Sequence, residues 1–208
     1  MAEPDAARIT TVEELRALVG EPMPATQMKV WSTLEAPARE FIARSPFLVL
    51  ATADAAGHQD VSPKGDVPGF VAVPDEGTLL IPDRKGNKLV MGLRNVLENP
   101  HVGVLFLVPG TNETLRVNGR AELTRDAAVC ERLAARGQPA LLAIRVTVDE
   151  CFFHCAKAFL RAELWKPATW PAGVRVSFGK MFAAKLGGDE TMAQQIDAVI
   201  EDDYRSNL

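Results

Sequence analysis

The apolar positions change period several times along the chain. Over residues 11–19, Val12, Leu15, Leu18 and Val19 recur at three- and four-residue steps, which is one face of a helix. Thr11 with Glu14 makes a capping-box pair and Gly20 a stop, so a helix is expected there. Residues 21–32 read as a loop. A second short helix is expected over 34–44, carrying Leu34, Phe41 and Ile42 and ending before Pro46. The pattern then tightens. "FLVLATA" (47–53) is a continuous apolar run, as in a buried strand, and "QDVSPKG" (59–65) returns across a turn at Gly57. "GFVAV" (69–73) and "GTLLIPD" (77–83) predict a second hairpin across "PDEG". Helical period reappears over 87–99, with Leu89, Leu93, Val96 and Leu97 on one face and Pro100 at its end. Strands are expected at 101–109 and 114–123, and a helix at 124–137 with Thr124 as N-cap and Gly137 as stop. Two more strands are expected at 140–150 and 151–159, then a charged helical tail from about 177 to 206.

Six or more strands thus follow one another with only two helices among them. A regular strand–helix alternation is missing, which argues against a doubly wound parallel sheet. The expected class is a β-rich α+β protein, an antiparallel barrel with peripheral helices. At 208 residues and 47% hydrophobic content, one domain can build its own core. A net charge of -4 gives no broad basic field, so general nucleic-acid binding is not expected and any anion site must be local. Three cysteines, a polar acidic N-terminus and no apolar run near the roughly 20 residues of a bilayer span predict a reduced, cytoplasmic protein without a membrane anchor.

Two basic knots stand out from this background. Asp83-Arg84-Lys85-Gly86-Asn87-Lys88 sits where a strand gives way to a helix. A helix start offers free N–H groups and a partial positive charge. Asn87 is expected as N-cap, Gly86 lets the backbone approach closely, and Arg84 and Lys88 add formal charge. A phosphate monoester suits such a place; the alternative is a solvated basic turn. The other knot is Ser62-Pro63-Lys64-Gly65, at the end of a strand expected to pair near the one leading into Arg84. Pro63 belongs at an edge or a break, because it donates no ladder bond. Farther on, Thr114 and Arg116 alternate with Leu115 and Val117, so they are expected on one strand face, as a ligand edge, a dimer interface or a solvent-facing row.

As a set, "FLVLATADAAGHQDVSPKGD", "GTLLIPDRKGNKLVMGLRNVLENPHVGVLFLVPG" and "ETLRVNGRAEL" resemble the pyridoxamine 5'-phosphate oxidase-like, FMN-binding split-barrel flavoproteins. The likeness runs from about Ala36 to Trp165. It implies a six-stranded antiparallel split β-barrel over 36–165, an N-terminal helical extension over 1–35 and a C-terminal loop and helical tail over 166–208. It implies a homodimer with two FMN sites at the subunit interface. Ser62, Pro63, Lys64 and Gly65 would run beside the flavin ring, and Asp83, Arg84, Asn87 and Lys88 would surround the phosphate. Thr114 would lie near the ring edge with Arg116 close by, and Lys157, Arg161 and Trp165 would come from the partner. Lys64 would favour negative charge on the reduced flavin. The pattern departs from true pyridoxamine phosphate oxidases after Trp165, where no Arg-X-His-X-Arg segment follows. An FMN-dependent oxidoreductase acting on an unidentified small molecule is therefore expected. The alternatives are a carrier or sensor of flavin or haem, with His154 as the haem ligand, a deazaflavin-using relative, or a dimerisation module whose site has decayed.

"CFFHC" (151–155) invites a zinc reading, but on a strand Cys151 and Cys155 face one way and His154 the other, so no metal site is expected. Cys130 is expected to be structural and His58 exposed. The three histidines give no Ser-His-Asp set, and no GxGxxG follows the first strand, so a nicotinamide Rossmann site is not expected.

Overall fold

The structure, a computed structural model, describes residues 7–207. Seven strands form one antiparallel sheet: β1 (Phe47–Ala53), β2 (Gln59–Gly65), β3 (Ala72–Asp75), β4 (Thr78–Asp83), β5 (His101–Leu107), β6 (Thr114–Thr124) and β7 (Leu142–His154). Their order is β2-β1-β5-β6-β7-β4-β3. The resemblance implied six strands; the seventh is the short edge strand β3, whose pairing with β4 shifts register between Ala72 and Asp75.

Alternation explains which face each strand buries. Leu48, Leu50 and Thr52 of β1, Val102, Val104 and Phe106 of β5, and Leu115 and Val117 of β6 are all buried. The positions between them are half-exposed, or exposed at Phe47 and His101 where β1 and β5 begin. β4 departs from this pattern. Leu79 and Ile81 enter the main core, while Leu80 on the opposite face joins Cys130, Leu133, Ala140 and Ala143 in a second, smaller cluster. The helix α5 (Ala127–Arg132) and the segment after it cover that outer face, so the run "LLI" is buried on both sides.

Several boundaries differ from expectation for physical reasons. The residues predicted as two strands at 140–150 and 151–159 form the single strand β7. Asn118 pairs with Glu150 and Gly119 with Val148, so Asp149 is an extra residue in a β-bulge rather than a chain break. The segment after His154 is a helix, α6 (Lys157–Arg161), made of good helix formers. β6 continues through Thr124, and Asp126 instead caps α5, its carboxylate accepting from the Val129 N–H at 3.0 Å. A short helix, α2 (Pro24–Gln27), interrupts the expected loop, and α3 (Ala36–Arg44) falls within the predicted 34–44. The helix expected from residue 87 begins later, as α4 (Met91–Glu98). It buries Val96 and packs Leu93 against the core, but leaves Leu89 and Leu97 exposed.

The termini add helices that bury little. α1 (Val12–Val19) has the expected capping box at Thr11 and Glu14 and ends at Gly20, yet buries none of its residues. After a 3-10 turn at Pro167–Thr169, α7 (Phe178–Leu186) and α8 (Glu190–Ser206) form a hairpin whose main packing is on each other.

Candidate functional site

β2 is an edge strand that pairs only with β1. There the missing N–H of Pro63 is tolerated. The last residue of β4 paired to β3 is Leu80, which leaves the edge of Ile81–Asp83 on that side without a partner strand. Between these two open edges lies a cleft of about 980 Å³. No ladder joins β2 to β4 among the described residues. Instead Lys64 Nζ donates to Asp83 Oδ1 at 2.6 Å, with both side chains 18% exposed. The sheet is therefore curved enough to bring its first and sixth strands within side-chain reach.

The floor and one wall come from β2. Asp60, Ser62 and Lys64 alternate toward the cleft, and Pro63 and Gly65 also border it. The opposite wall is Pro82, Asp83 and the basic turn Arg84–Lys88. The end wall is the first turn of α4, where Met91, Gly92 and Leu93 line the cleft. Gly92 packs α4 close onto β1 and β2: a Cβ there would stand 3.0 Å from Asp60 Oδ2 and 3.5 Å from Thr52 Oγ1. Asn95, one turn later, donates to Thr52 Oγ1 at 3.1 Å and fixes the helix in place.

The backbone entering α4 is strained. Lys88 and Val90 both adopt left-handed angles, with φ of 60° and 48°. For the β-branched Val90 this is a rare conformation, and each such residue costs on the order of 1–3 kcal/mol. Val90, not Asn87, is the N-cap; Asn87 Oδ1 instead accepts from the Leu89 N–H at 3.0 Å. The expected N-cap is thus corrected: Asn87 organises the turn before the helix. The strain holds the basic turn and the unpaired N–H groups of the first helical turn against the same space.

The cations of the site fall into two states. Lys64 is neutralised by Asp83. Arg84 is bound through Nε and Nη2 to Asp66 Oδ2, each at 3.2 Å, and Arg136 adds a weaker contact to the same carboxylate at 3.6 Å. Asp66 is 3% exposed and also accepts from the Val67 N–H at 2.9 Å. Sequence reasoning missed it, although an acid directly after Ser-Pro-Lys-Gly is a natural partner for Arg84. The third guanidinium nitrogen, Arg84 Nη1, is buried without any hydrogen-bond partner. Lys85 and Lys88 line the cleft and make no ion pair or side-chain hydrogen bond among the described residues. An orphaned Nη1, two unpaired ammonium groups and a helix N-terminus together fit a phosphate.

Residues 34–155, more than half of the chain, match the family described as Pyridoxamine 5'-phosphate oxidase. The chain belongs to this family. Solved structures similar to it include a putative pyridoxamine 5'-phosphate oxidase from Lactobacillus delbrueckii (23% identity, TM-score 0.46, covering 59% of this chain and 95% of that one). A HupZ variant from Group A Streptococcus has 17% identity and a TM-score of 0.48, covering 58% of this chain and 99% of that one. An FMN-binding protein from Syntrophomonas wolfei has 14% identity and a TM-score of 0.42, covering 59% and 91%. At such identities the functions in these names stay with those proteins. No curated protein matches the chain. No described helix of this family member is long and apolar enough to cross a membrane.

The remaining predicted site residues lie elsewhere in the protomer. Thr114 is buried at the start of β6, opposite His154. Arg116 lies over the Phe152 ring, 5.2 Å from its centroid, with Lys29 at 5.6 Å from the same ring. Lys157 and Arg161 are exposed on α6. Trp165 donates from Nε1 to Thr111 O at 2.8 Å and lies 5.8 Å from Phe159. None of these five lines the cleft of its own chain. His154 is exposed and outside the cleft as well. Of the "CFFHC" run, Cys151 is buried and donates its thiol to Thr33 O at 3.1 Å, and Cys155 is exposed. Burial pushes the Cys151 thiol above its ordinary range.

Proposed function

We propose that the chain binds FMN in this cleft and acts as an FMN-dependent oxidoreductase on a small molecule. The observation that carries the reading is the buried Arg84 Nη1 without a partner, beside two unpaired lysines and the start of α4. This end takes the phosphate: Arg84 and Lys88 donate to its oxygens, Lys85 adds charge, and the first turn of α4 adds N–H groups. Ser62, Pro63, Lys64 and Gly65 form a narrow rail beside which a flat ring lies, with Ser62 and Lys64 turned toward it. Bound flavin supplies the redox chemistry, and the protein binds, orients and shields it. Lys64 is expected to act as half of a Lys64–Asp83 pair, so its field on the ring is that of a dipole rather than a free cation.

Thr114, Arg116, Lys157, Arg161 and Trp165 enter the reading through a homodimer. They lie outside their own cleft, so a second copy brings them to the cofactor. Trp165 and Arg116 then provide an aromatic and a cationic edge, and Lys157 and Arg161 further positive charge.

The test is direct. The purified protein is expected to be yellow and to release FMN on heating, near one per chain. A colourless protein that takes up no added FMN overturns the reading. A flavin-loaded protein that no nicotinamide donor or other reductant turns over is a carrier or sensor rather than an oxidoreductase.

A further inference from the structure

The cleft has one further wall, supplied by the C-terminal hairpin. Asp203 and Asn207, at the C-terminal end of α8, line it together with Arg84, Lys85 and Lys88. The end of a helix carries unsatisfied carbonyl groups and a partial negative charge. Here Asp202 and Asp203 add formal negative charge on the last turns, partly offset by Arg205, whose Nε donates back to Glu201 O at 3.3 Å, and Asn207 Nδ2 donates to Asp203 Oδ1 at 2.6 Å. Asp203 makes no ion pair among the described residues, although it borders the basic turn. An electronegative helix end thus stands at the place where the same turn would receive an anion.

The hairpin that carries this tip is stiff within itself. Asp197 of α8 accepts from Ser177 Oγ at 2.6 Å and from the Gly179 N–H at 2.7 Å, and Glu201 pairs with Arg175. Gly179 is in such close contact with the Ala193 carbonyl that no side chain fits there. Its tie to the sheet is slight by comparison. Phe178, Met181, Phe182 and Leu186 of α7 and Val199 and Tyr204 of α8 remain exposed. Residues 170–174, which have no regular structure, join it to the rest of the chain.

We propose that the acidic tip of α8 is an intramolecular competitor for the phosphate end of the cleft. This inference rests on the FMN reading above. In the ligand-free chain the tip faces the basic turn. A phosphate-bearing ligand displaces it, and the hairpin sets how tightly and how fast that ligand is held. A phosphate-free flavin meets no such competition.

The experiment compares FMN and riboflavin binding to the full chain and to Asp203→Asn at low and high salt. A single exposed charge near a helix end is worth a small factor, so FMN binding is expected to tighten about two- to fivefold at low ionic strength. Riboflavin binding is expected to stay the same, and the FMN gain to shrink in high salt. Amide exchange in residues 199–207 is expected to rise when FMN binds and not when riboflavin binds. Weaker FMN binding by Asp203→Asn, equal changes for both flavins, or protection of 199–207 by FMN would each overturn the inference and leave the FMN reading standing. A chain that binds neither flavin overturns both.

Discussion

The two ends of the cleft treat their cations differently. At the Lys64 end the charge is matched inside the protein, by Asp83 at 2.6 Å, and Arg84 is likewise anchored on the buried Asp66. At the Lys88 end two ammonium groups and one guanidinium nitrogen have no partner. The first arrangement serves folding, since it joins two strands that share no ladder. The second leaves donors that the proposed ligand would use: Arg84 Nη1 is buried and costly without an acceptor, while Lys85 and Lys88 are exposed and held by water alone. Lys64 and Lys88 thus stand in different electrostatic surroundings, which their residue type alone does not reveal.

The largest effect is expected where matching is most buried. Asp66→Ala leaves Arg84 without its carboxylate and should lower unfolding stability by on the order of 3 kcal/mol in a denaturant titration. Lys64→Ala strands Asp83 at a site only 18% exposed and should cost about 1–2 kcal/mol. If both variants unfold like the wild type, the distinction between the two ends fails. At the other end the pattern should invert. Lys88→Gln should leave the unfolding midpoint unchanged and weaken FMN binding about tenfold, a loss of roughly 1.4 kcal/mol, with riboflavin binding unaffected.

The smallest effect concerns the C-terminal hairpin. Hydrogen bonds from Ser177 and the Gly179 N–H hold the Asp197 carboxyl below its ordinary range. A depressed carboxylate contributes stability above its unfolded value, near pH 3.9, and that contribution is lost as pH falls through the folded value. Acid should therefore loosen α7 and α8 before it unfolds the sheet. Helical circular dichroism that falls together with the fluorescence of Trp31, which bridges Cys151 and is isolated by Trp165→Phe and Trp170→Phe, would show no such separation.

Much of the sheet was legible because a curved antiparallel sheet with a single main core imposes alternation on β1, β5 and β6. The hairpin of β1 and β2 and the edge position of Pro63 followed from turn and proline chemistry. The misread places are those where local pattern and tertiary context part. Asp149 and Glu150 look like the end of a strand, yet a bulge carries β7 past them. Leu89 fits the helical face of α4, but left-handed angles at Lys88 and Val90 delay the helix, and periodicity carries no information about the sign of φ. In the site, the Ser62–Gly65 strand was expected to pair near the strand leading into Arg84; the two meet, but through Lys64 and Asp83 and not through a ladder. Asp66, Gly92 and the tip of α8 were not, because each depends on which elements meet in space. The tail from 177 on read only as a charged helix, though its last turn borders the cleft.

The central claim is that the unpaired cations of the Arg84–Lys88 turn hold a phosphate. The most direct test is the ratio of riboflavin to FMN dissociation constants for the wild-type chain at physiological salt, read by flavin fluorescence. The account predicts that FMN binds at least about tenfold more tightly, because only FMN reaches these donors. Equal affinities, or no binding of either flavin, would contradict it.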